Sequence, residues 1–120
     1  MKHPSYQNEK KLPISSFRRI GATIYISGQG AVGPDGNYVC DDFEGQFRYT
    51  MERLKDALAE AGVTLADVVS IRSYVQRDAD LPAYNQLYRE YFTEPYPART
   101  TITNCLPAGL LFEIDAIATD

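Results

Sequence analysis

The clearest hydrophobic pattern in the chain runs from position 43 to position 61. Apolar residues recur there at steps of three and four, at positions 43, 47, 51, 54, 58 and 61. This spacing puts the apolar side chains on one face of an α-helix. Asp41 or Asp42 can cap its start, and Gly62 is a natural C-terminal cap. A similar spacing predicts a second helix over residues 81–92.

The segments around these helices have the residue types of β-strands, separated by turn-forming residues. Strands are predicted at residues 17–20, 23–27, 38–40, 68–75, 98–103 and 110–118. Pro107 and Gly109 supply a turn between the last two, which are therefore expected to form a strand–turn–strand pair. In the last strand, apolar residues alternate with Glu113 and Asp115, so the two acids share one strand face.

The order of these elements indicates the fold class. The sequence β-β-β-α-β-α-β-β favours an α+β fold in which both helices pack on one face of a single mixed sheet, as a two-layer sandwich. No predicted helix is left to cover the other face of the sheet. Association with further copies of the chain is the simplest way to bury that face.

Length and composition narrow the class of protein. A chain of 120 residues suits a single domain over 1–120, with an irregular N-terminal arm at 1–13. The net charge of −4 and the lack of a basic stripe argue against nucleic-acid binding. One histidine and two cysteines provide neither metal-ligand spacing nor a disulfide scaffold. No stretch has the pattern of a membrane span or signal peptide, so a cytoplasmic protein is expected.

Two charged residues in the last quarter are candidates for a small site. Arg99 stands near the start of one predicted strand, and Glu113 lies on the next. Such a pair suits a site that binds an anion and moves a proton. The pattern also fits a plainer interpretation, in which both are solvated surface charges. Gly28 and Gly30 follow a strong strand, where they either allow a ligand to approach closely or simply end the strand.

Four motifs, taken together in this order and spacing, are specific for one family. They are IYISGQ at 24–29, the helix end at 88–94, PART at 97–100 and FEIDAIA at 112–118. Through them the chain resembles the RidA (YjgF) family of small enamine/imine deaminases over residues 17–119. The resemblance implies a chorismate-mutase-like fold and a homotrimer with active sites between subunits. It also implies hydrolysis of enamines and imines such as 2-aminoacrylate and 2-iminopropionate to 2-keto acids and ammonia, without cofactor or metal.

The resemblance also implies roles for single residues. Arg99 matches the family arginine that binds the substrate carboxylate, a task that suits the planar, forked guanidinium. Glu113 matches the acid proposed to position and activate the attacking water. Gly28 matches a glycine whose backbone lines the substrate end of the pocket. Further substrate-binding residues expected in or near this cleft are Asn85, Tyr88 and Thr101.

The chain departs from the family pattern around the pocket. Ile14 stands where the family often has tyrosine, and Thr101 where it often has cysteine. The stretch from Arg99 to Pro107 is one residue shorter than is typical. Cys105 is expected to be a small buried residue rather than a displaced nucleophile.

These departures leave the substrate open. One alternative is a catabolic-pathway deaminase of a larger, aminomuconate-like substrate. Another is a non-catalytic module on the same fold that binds or senses a carboxylate metabolite. RNA cleavage, a third possibility, is disfavoured by the negative net charge.

Overall fold

The computed structural model describes residues 12–120, so the predicted N-terminal arm lies almost wholly outside the described residues. The strands are β1 (Phe17–Ile20), β2 (Thr23–Gly30), β3 (Val68–Val75), β4 (Ala98–Thr103) and β5 (Phe112–Thr119). The helices are α1 (Phe43–Glu60) and α2 (Leu81–Tyr91), with short 3₁₀ turns at Leu65–Asp67 and Asp78–Asp80. Neither α1 nor α2 is long and apolar enough to cross a membrane.

The strands make one mixed sheet in the order β1-β2-β5-β3-β4. β3 and β4 run parallel, whereas the other neighbouring strands are antiparallel. α2 lies on the crossover that a parallel pair requires. α1 packs on β2 and β5, and α2 packs beside it on the same face of the sheet, where the Tyr84 ring meets Phe112 of β5. The predicted α+β two-layer sandwich is confirmed.

The element order is β-β-α-β-α-β-β, so the predicted third strand at 38–40 is wrong. Tyr38 makes only an isolated bridge to Val32. Two residues later Cys40 has a φ of 69°, in the left-handed region that a continuing strand does not use. Extended structure therefore ends after one bridge. The chain then enters α1, whose first turn is capped by the Asp42 carboxylate.

The last two strands do not form the predicted strand–turn–strand pair, because β3 lies between them and pairs with both. Burial explains this arrangement. β5 has four fully or almost fully buried apolar residues and takes a central place in the sheet. β4 has one large apolar residue, Ile102, and takes an edge.

The core lies between the two helices and the sheet. Phe47 of α1 packs on Phe112 of β5 with ring centroids 4.7 Å apart. Tyr84 of α2 is fully buried, and its hydroxyl donates a 2.6 Å hydrogen bond to Ser73 Oγ on β3. This bond satisfies two polar groups whose burial would otherwise be costly. It also holds α2 over the β3–β4 edge of the sheet.

The other face of the sheet carries no helix from the described part of the chain. Tyr25 and Ile102 are 48% and 39% exposed there. On the same face the Asp115 carboxylate accepts hydrogen bonds from Arg72 Nε and from the Tyr74 hydroxyl, each at 3.0 Å. This open face combines exposed apolar side chains with an organised polar group, as protein interfaces commonly do.

Candidate active site

Helix α2 holds Arg99 of β4 in a defined position. The guanidinium carbon of Arg99 lies 4.9 Å from the centroid of the Tyr84 ring and 4.8 Å from that of Tyr88. These two rings are one helical turn apart and so lie on the same side of α2. Arg99 Nη2 also donates a 2.9 Å hydrogen bond to Asn85 Oδ1. Two cation–π contacts and one hydrogen bond thus orient a guanidinium that forms no ion pair within residues 12–120.

Tyr88 stays neutral beside this cation. Its side chain is buried, and burial raises the pKa of Tyr88 to about 12. Its hydroxyl has no hydrogen-bond partner among the residues that the structure describes. Tyr88 therefore contributes an aromatic face, not a negative charge, to the surroundings of Arg99.

A cleft of about 250 Å³ opens beside the guanidinium. Its lining consists of Asn85, Tyr88, Arg89, Tyr96, Pro97 and Arg99. The part of the lining that the structure describes includes two cationic side chains and no acidic one, so its charge favours an anion. Its volume is at the lower end for ligand pockets, which favours a small ligand. Across residues 12–120, no three His, Cys, Asp or Glu side chains are grouped as metal ligands.

Glu113 lies on the open face of the sheet, next to Gly28. The residues on either side of Glu113 in β5 are buried under the helices, so its own side chain points away from them. The register of β2 against β5 shifts just before Gln29, a bulge that includes Gly28. A Cβ on Gly28 would lie 3.1 Å from Glu113 Oε2. Glycine therefore leaves room for the carboxylate against the β2 backbone.

Two effects raise the pKa of Glu113. The larger is burial of the side chain, which disfavours its ionised form, and the second is the negative charge of Asp115. Asp115 is in turn held by Arg72 and Tyr74. A carboxylate with a raised pKa is a stronger base, so Glu113 is suited to exchanging a proton nearer neutral pH.

Arg99 and Glu113 do not meet within one chain. Arg99 stands beside Ile71 of β3, whose side chain is buried under the helices. Glu113 stands beside Tyr74, three residues farther along β3 and so on the opposite face. The structure therefore brings Arg99 together with Asn85 and Tyr88, and Glu113 together with Gly28. A site that uses both groups requires a second copy of the chain.

The remaining residues singled out from the sequence lie farther from the cleft. Thr101 shares a strand face with Arg99 and stands half-buried beside Ser73, but it is not among the cleft-lining residues. Ile14 is exposed and borders a separate groove that includes Gly28. Cys105 is exposed, so the expectation of a buried cysteine is wrong. It follows Asn104, whose left-handed φ of 62° ends β4 and starts the loop to β5.

Sequence reasoning missed Tyr84, Arg89 and Tyr96 as parts of this site. Helical spacing could have predicted Arg89, because it lies one turn after Asn85 and so shares a face of α2 with it. The same spacing applies to Tyr84, which lies one turn before Tyr88 on α2. Tyr96 stands in the proline-rich connection before β4, where no periodic pattern predicts the direction of a side chain.

Comparison with known proteins assigns this geometry to a family. The family described as Endoribonuclease L-PSP matches residues 10–120, which include both groups of site residues. The chain belongs to the RidA family. The resemblance found in its sequence motifs is thereby confirmed.

Named relatives of this RidA-family chain cover most of its length. It is 36% identical over 108 residues to a RutC family protein of Pyrococcus abyssi, covering 88% of this chain and 85% of the relative. It is 29% identical over 107 residues to the 2-iminobutanoate/2-iminopropanoate deaminase of Dermatophagoides farinae, covering 88% and 84%. The crystal structure of Escherichia coli TdcF with bound serine matches with a TM-score of 0.79 at 27% identity, covering 90% of this chain and 88% of TdcF.

Proposed function

We propose that this RidA-family protein is an enamine/imine deaminase that hydrolyses substrates of the 2-aminoacrylate and 2-iminopropionate type to 2-keto acids and ammonia. The observation that carries the proposal is Arg99, an oriented guanidinium beside a small cleft; within residues 12–120 it has no carboxylate partner and the cleft has no acidic lining. The name of the Dermatophagoides deaminase and the serine bound to TdcF support it, because 2-iminobutanoate, 2-iminopropanoate and serine are all small carboxylates with a nitrogen on the α-carbon.

Arg99 binds the substrate carboxylate in this mechanism. A guanidinium can donate two parallel hydrogen bonds to a carboxylate, which fixes orientation as well as position. Tyr84, Tyr88 and Asn85 already hold the Arg99 side chain in place. Little side-chain freedom is therefore lost on binding, and the imine carbon is presented in one orientation. Thr101, on the same strand face, adds to the substrate side of the site.

Glu113 positions and activates the attacking water. Its raised pKa gives the ionised carboxylate a higher affinity for the proton that the water must lose. Gly28 leaves the carboxylate room next to the β2 backbone, which lines the substrate end of the site. These two residues come from one copy of the chain and Arg99 from another.

The reaction involves no change of oxidation state. The enamine reacts as its imine tautomer, and the water oxygen adds to the imine carbon while Glu113 takes one water proton and passes it to the nitrogen. Glu113 then carries the hydroxyl proton to the nitrogen, the carbon–nitrogen bond breaks, and ammonia leaves as the keto group forms. Catalysis comes from positioning and charge complementarity, so the proposal involves no covalent nucleophile, cofactor or metal.

The proposed working unit is a cytoplasmic homotrimer with its sites between subunits. The opposite directions of Arg99 and Glu113 support shared sites, and the exposed Tyr25 and Ile102 offer apolar surface for the contact. In a closed ring one head-to-tail contact repeats, so every interface can join Arg99 of one copy to Glu113 of the next. Both cysteines are free thiols, which suits a reducing compartment.

A coupled assay with Arg99 variants tests the deaminase proposal. An amino-acid oxidase generates 2-iminopropionate from alanine, and semicarbazone formation reports the imine that escapes hydrolysis. The wild type is expected to remove the imine, and Arg99→Ala to lose about a hundredfold in kcat/KM, since a bidentate charge-assisted contact is lost. Arg99→Lys should fall between them, because it keeps the charge without the fork.

The matched control is Lys55→Ala, which removes an exposed cation of α1 outside the cleft. It is expected to keep the wild-type rate. Wild-type activity in Arg99→Ala would contradict the proposed mechanism. Saturable binding of pyruvate without release of ammonia from any imine would favour the carboxylate-binding module. A strong preference for bulky imines would favour the aminomuconate-like alternative.

A further inference from the structure

We propose that the Arg99 cleft prefers imino acids with a second carboxylate, and that Arg89 binds this second group. The inference rests on the proposed deaminase function and specifies its substrate class. Substrates with one carboxylate use Arg99 alone, whereas a short dicarboxylic imino acid uses both arginines. Arg89 is thus a specificity-determining residue of the site.

Arg89 and Arg99 converge on one residue of α2. Arg89 Nη1 donates a 3.2 Å hydrogen bond to the backbone oxygen of Asn85, while Arg99 Nη2 donates a 2.9 Å bond to Asn85 Oδ1. Both arginines line the same cleft. Both guanidinium groups therefore reach the same asparagine and border the same cleft, an arrangement that suits the two ends of a short dicarboxylate.

Within residues 12–120, no acid pairs with either of these two cations. No carboxylate from that part of the chain lines the cleft, and Glu90, the acid of α2, pairs instead with Arg48 at 3.1 Å. Three other arginines, Arg19, Arg72 and Arg77, each pair with an aspartate. Two like charges held close together repel each other, and a bound dianion removes that repulsion.

Arg89 also has a simpler explanation. It lies in the last turn of α2, where a cation interacts favourably with the helix dipole. The dipole explains a positive charge at this position, but it does not require the side chain to line a cleft. If Arg89 only interacts with the helix dipole, replacing it should reduce the stability of α2 and leave the substrate preference unchanged. Kinetic measurements on an Arg89 variant therefore distinguish the two explanations.

The test compares the imines formed in situ from glutamate and norvaline by amino-acid oxidases. These imines have carbon chains of the same length and differ in the terminal carboxylate. The wild type is expected to favour the glutamate-derived imine about tenfold in kcat/KM, because a tenfold ratio corresponds to one partly exposed, charged hydrogen bond from Arg89 to the second carboxylate. Arg89→Gln should bring the ratio close to one, and Arg89→Glu should reverse the preference. Lys55→Gln, which removes a cation outside the cleft, should keep the wild-type ratio.

Calorimetric binding of 2-oxoglutarate and 2-oxopentanoate measures the same preference without turnover. If the wild type hydrolyses both imines equally and binds both keto acids equally, the dicarboxylate proposal is overturned while the deaminase function stands. An unchanged ratio in Arg89→Gln would likewise overturn it and leave Arg89 with its dipole role. If no imine is hydrolysed but Arg89→Gln weakens tight 2-oxoglutarate binding, the recognition proposal stands and the deaminase function fails.

Discussion

Arg99 and Glu113 differ in how the fold prepares each residue. Arg99 is oriented by two aromatic rings and an amide oxygen, none of which neutralises its charge. Glu113 is placed where burial and the charge of Asp115 disfavour its ionised form. The first arrangement provides a positioned cation for a carboxylate, and the second provides a base with increased proton affinity. The proposed imine hydrolysis uses both properties.

Replacing Glu113 with glutamine is expected to raise the melting temperature at neutral pH by a few degrees. The pKa of Glu113 is raised above 4.5 in the folded protein. Between 4.5 and that raised pKa the folded state holds a proton that the unfolded state has released. Wild-type stability therefore falls as the pH rises through this window and stays lower above it. Glutamine has no charge to form, so the variant avoids this loss.

Thermal unfolding between about pH 4 and about pH 8 measures the effect, which should vanish at the acid end because both side chains are then neutral. Glu60→Gln, at an exposed position of α1, controls for the loss of one carboxylate. If the higher melting temperature of Glu113→Gln persists in acid, or if the control gains as much, ionisation of Glu113 does not destabilise the folded protein.

Among the secondary-structure elements, α2 is the one that positions the cationic half of the site. β4 is an edge strand with mostly exposed side chains, so burial of β4 does not fix Arg99. Contacts from Tyr84, Asn85 and Tyr88 do so instead. The position of α2 depends in turn on the buried hydrogen bond from Tyr84 to Ser73 of β3.

Removal of the Tyr84 hydroxyl is expected to destabilise the protein. Tyr84→Phe keeps the ring beside Arg99 but leaves the buried Ser73 hydroxyl without its 2.6 Å partner. The expected cost is about 1–3 kcal/mol in the free energy of unfolding. Urea unfolding measures this loss.

The double variant Ser73→Ala with Tyr84→Phe should recover part of it, because both polar groups are then absent. A double variant that loses the sum of both single effects would show that the two hydroxyls act independently.

In the whole molecule, the sheet separates the two groups of residues that make up the proposed site. Arg99 and the cleft lie on the helix side, and Glu113 and Gly28 lie on the open face. Asp115 and its partners organise the polar part of that face, next to exposed apolar side chains. The open face therefore carries the proposed general base beside its exposed apolar side chains, as the proposed association of subunits requires.

Mixing two inactive variants is expected to restore activity. Arg99→Ala and Glu113→Gln each lack one half of every site, but a mixed assembly contains interfaces with both native residues. If subunits combine at random in equal amounts, about a quarter of head-to-tail interfaces carry native Arg99 and native Glu113. The mixture, co-refolded from denaturant, should regain about that fraction of wild-type activity.

Each variant refolded alone serves as the control and should stay inactive. Light scattering on the same samples should give three times the 13.5 kDa mass of one chain. If activity does not return in mixtures of the expected mass, at least one of the two residues has no part in the reaction.

Local sequence pattern was enough to predict both helices, all five strands and the family, although it also predicted a strand at 38–40 that the structure lacks. Spacing over 43–61 and 81–92 predicted α1 and α2 to within a residue, and alternation in β5 put Glu113 and Asp115 together on one face. These features depend on the fixed direction of side chains along a helix or strand, which neighbouring residues alone set. Short motifs likewise marked Arg99, Glu113 and Gly28.

Long-range packing decided the order of the strands in the sheet and which residues meet across elements, neither of which local patterns encode. β3 inserts between β4 and β5 because the α2 crossover brings β4 alongside it and because β5 has the larger apolar surface to bury. That strand order, with the register of β3, puts Arg99 and Glu113 on opposite faces of the sheet. The docking of α2 on the sheet brings Arg89 into the Arg99 cleft. Each of these arrangements joins separate elements of the chain, so its energy depends on the assembled core and not on local periodicity.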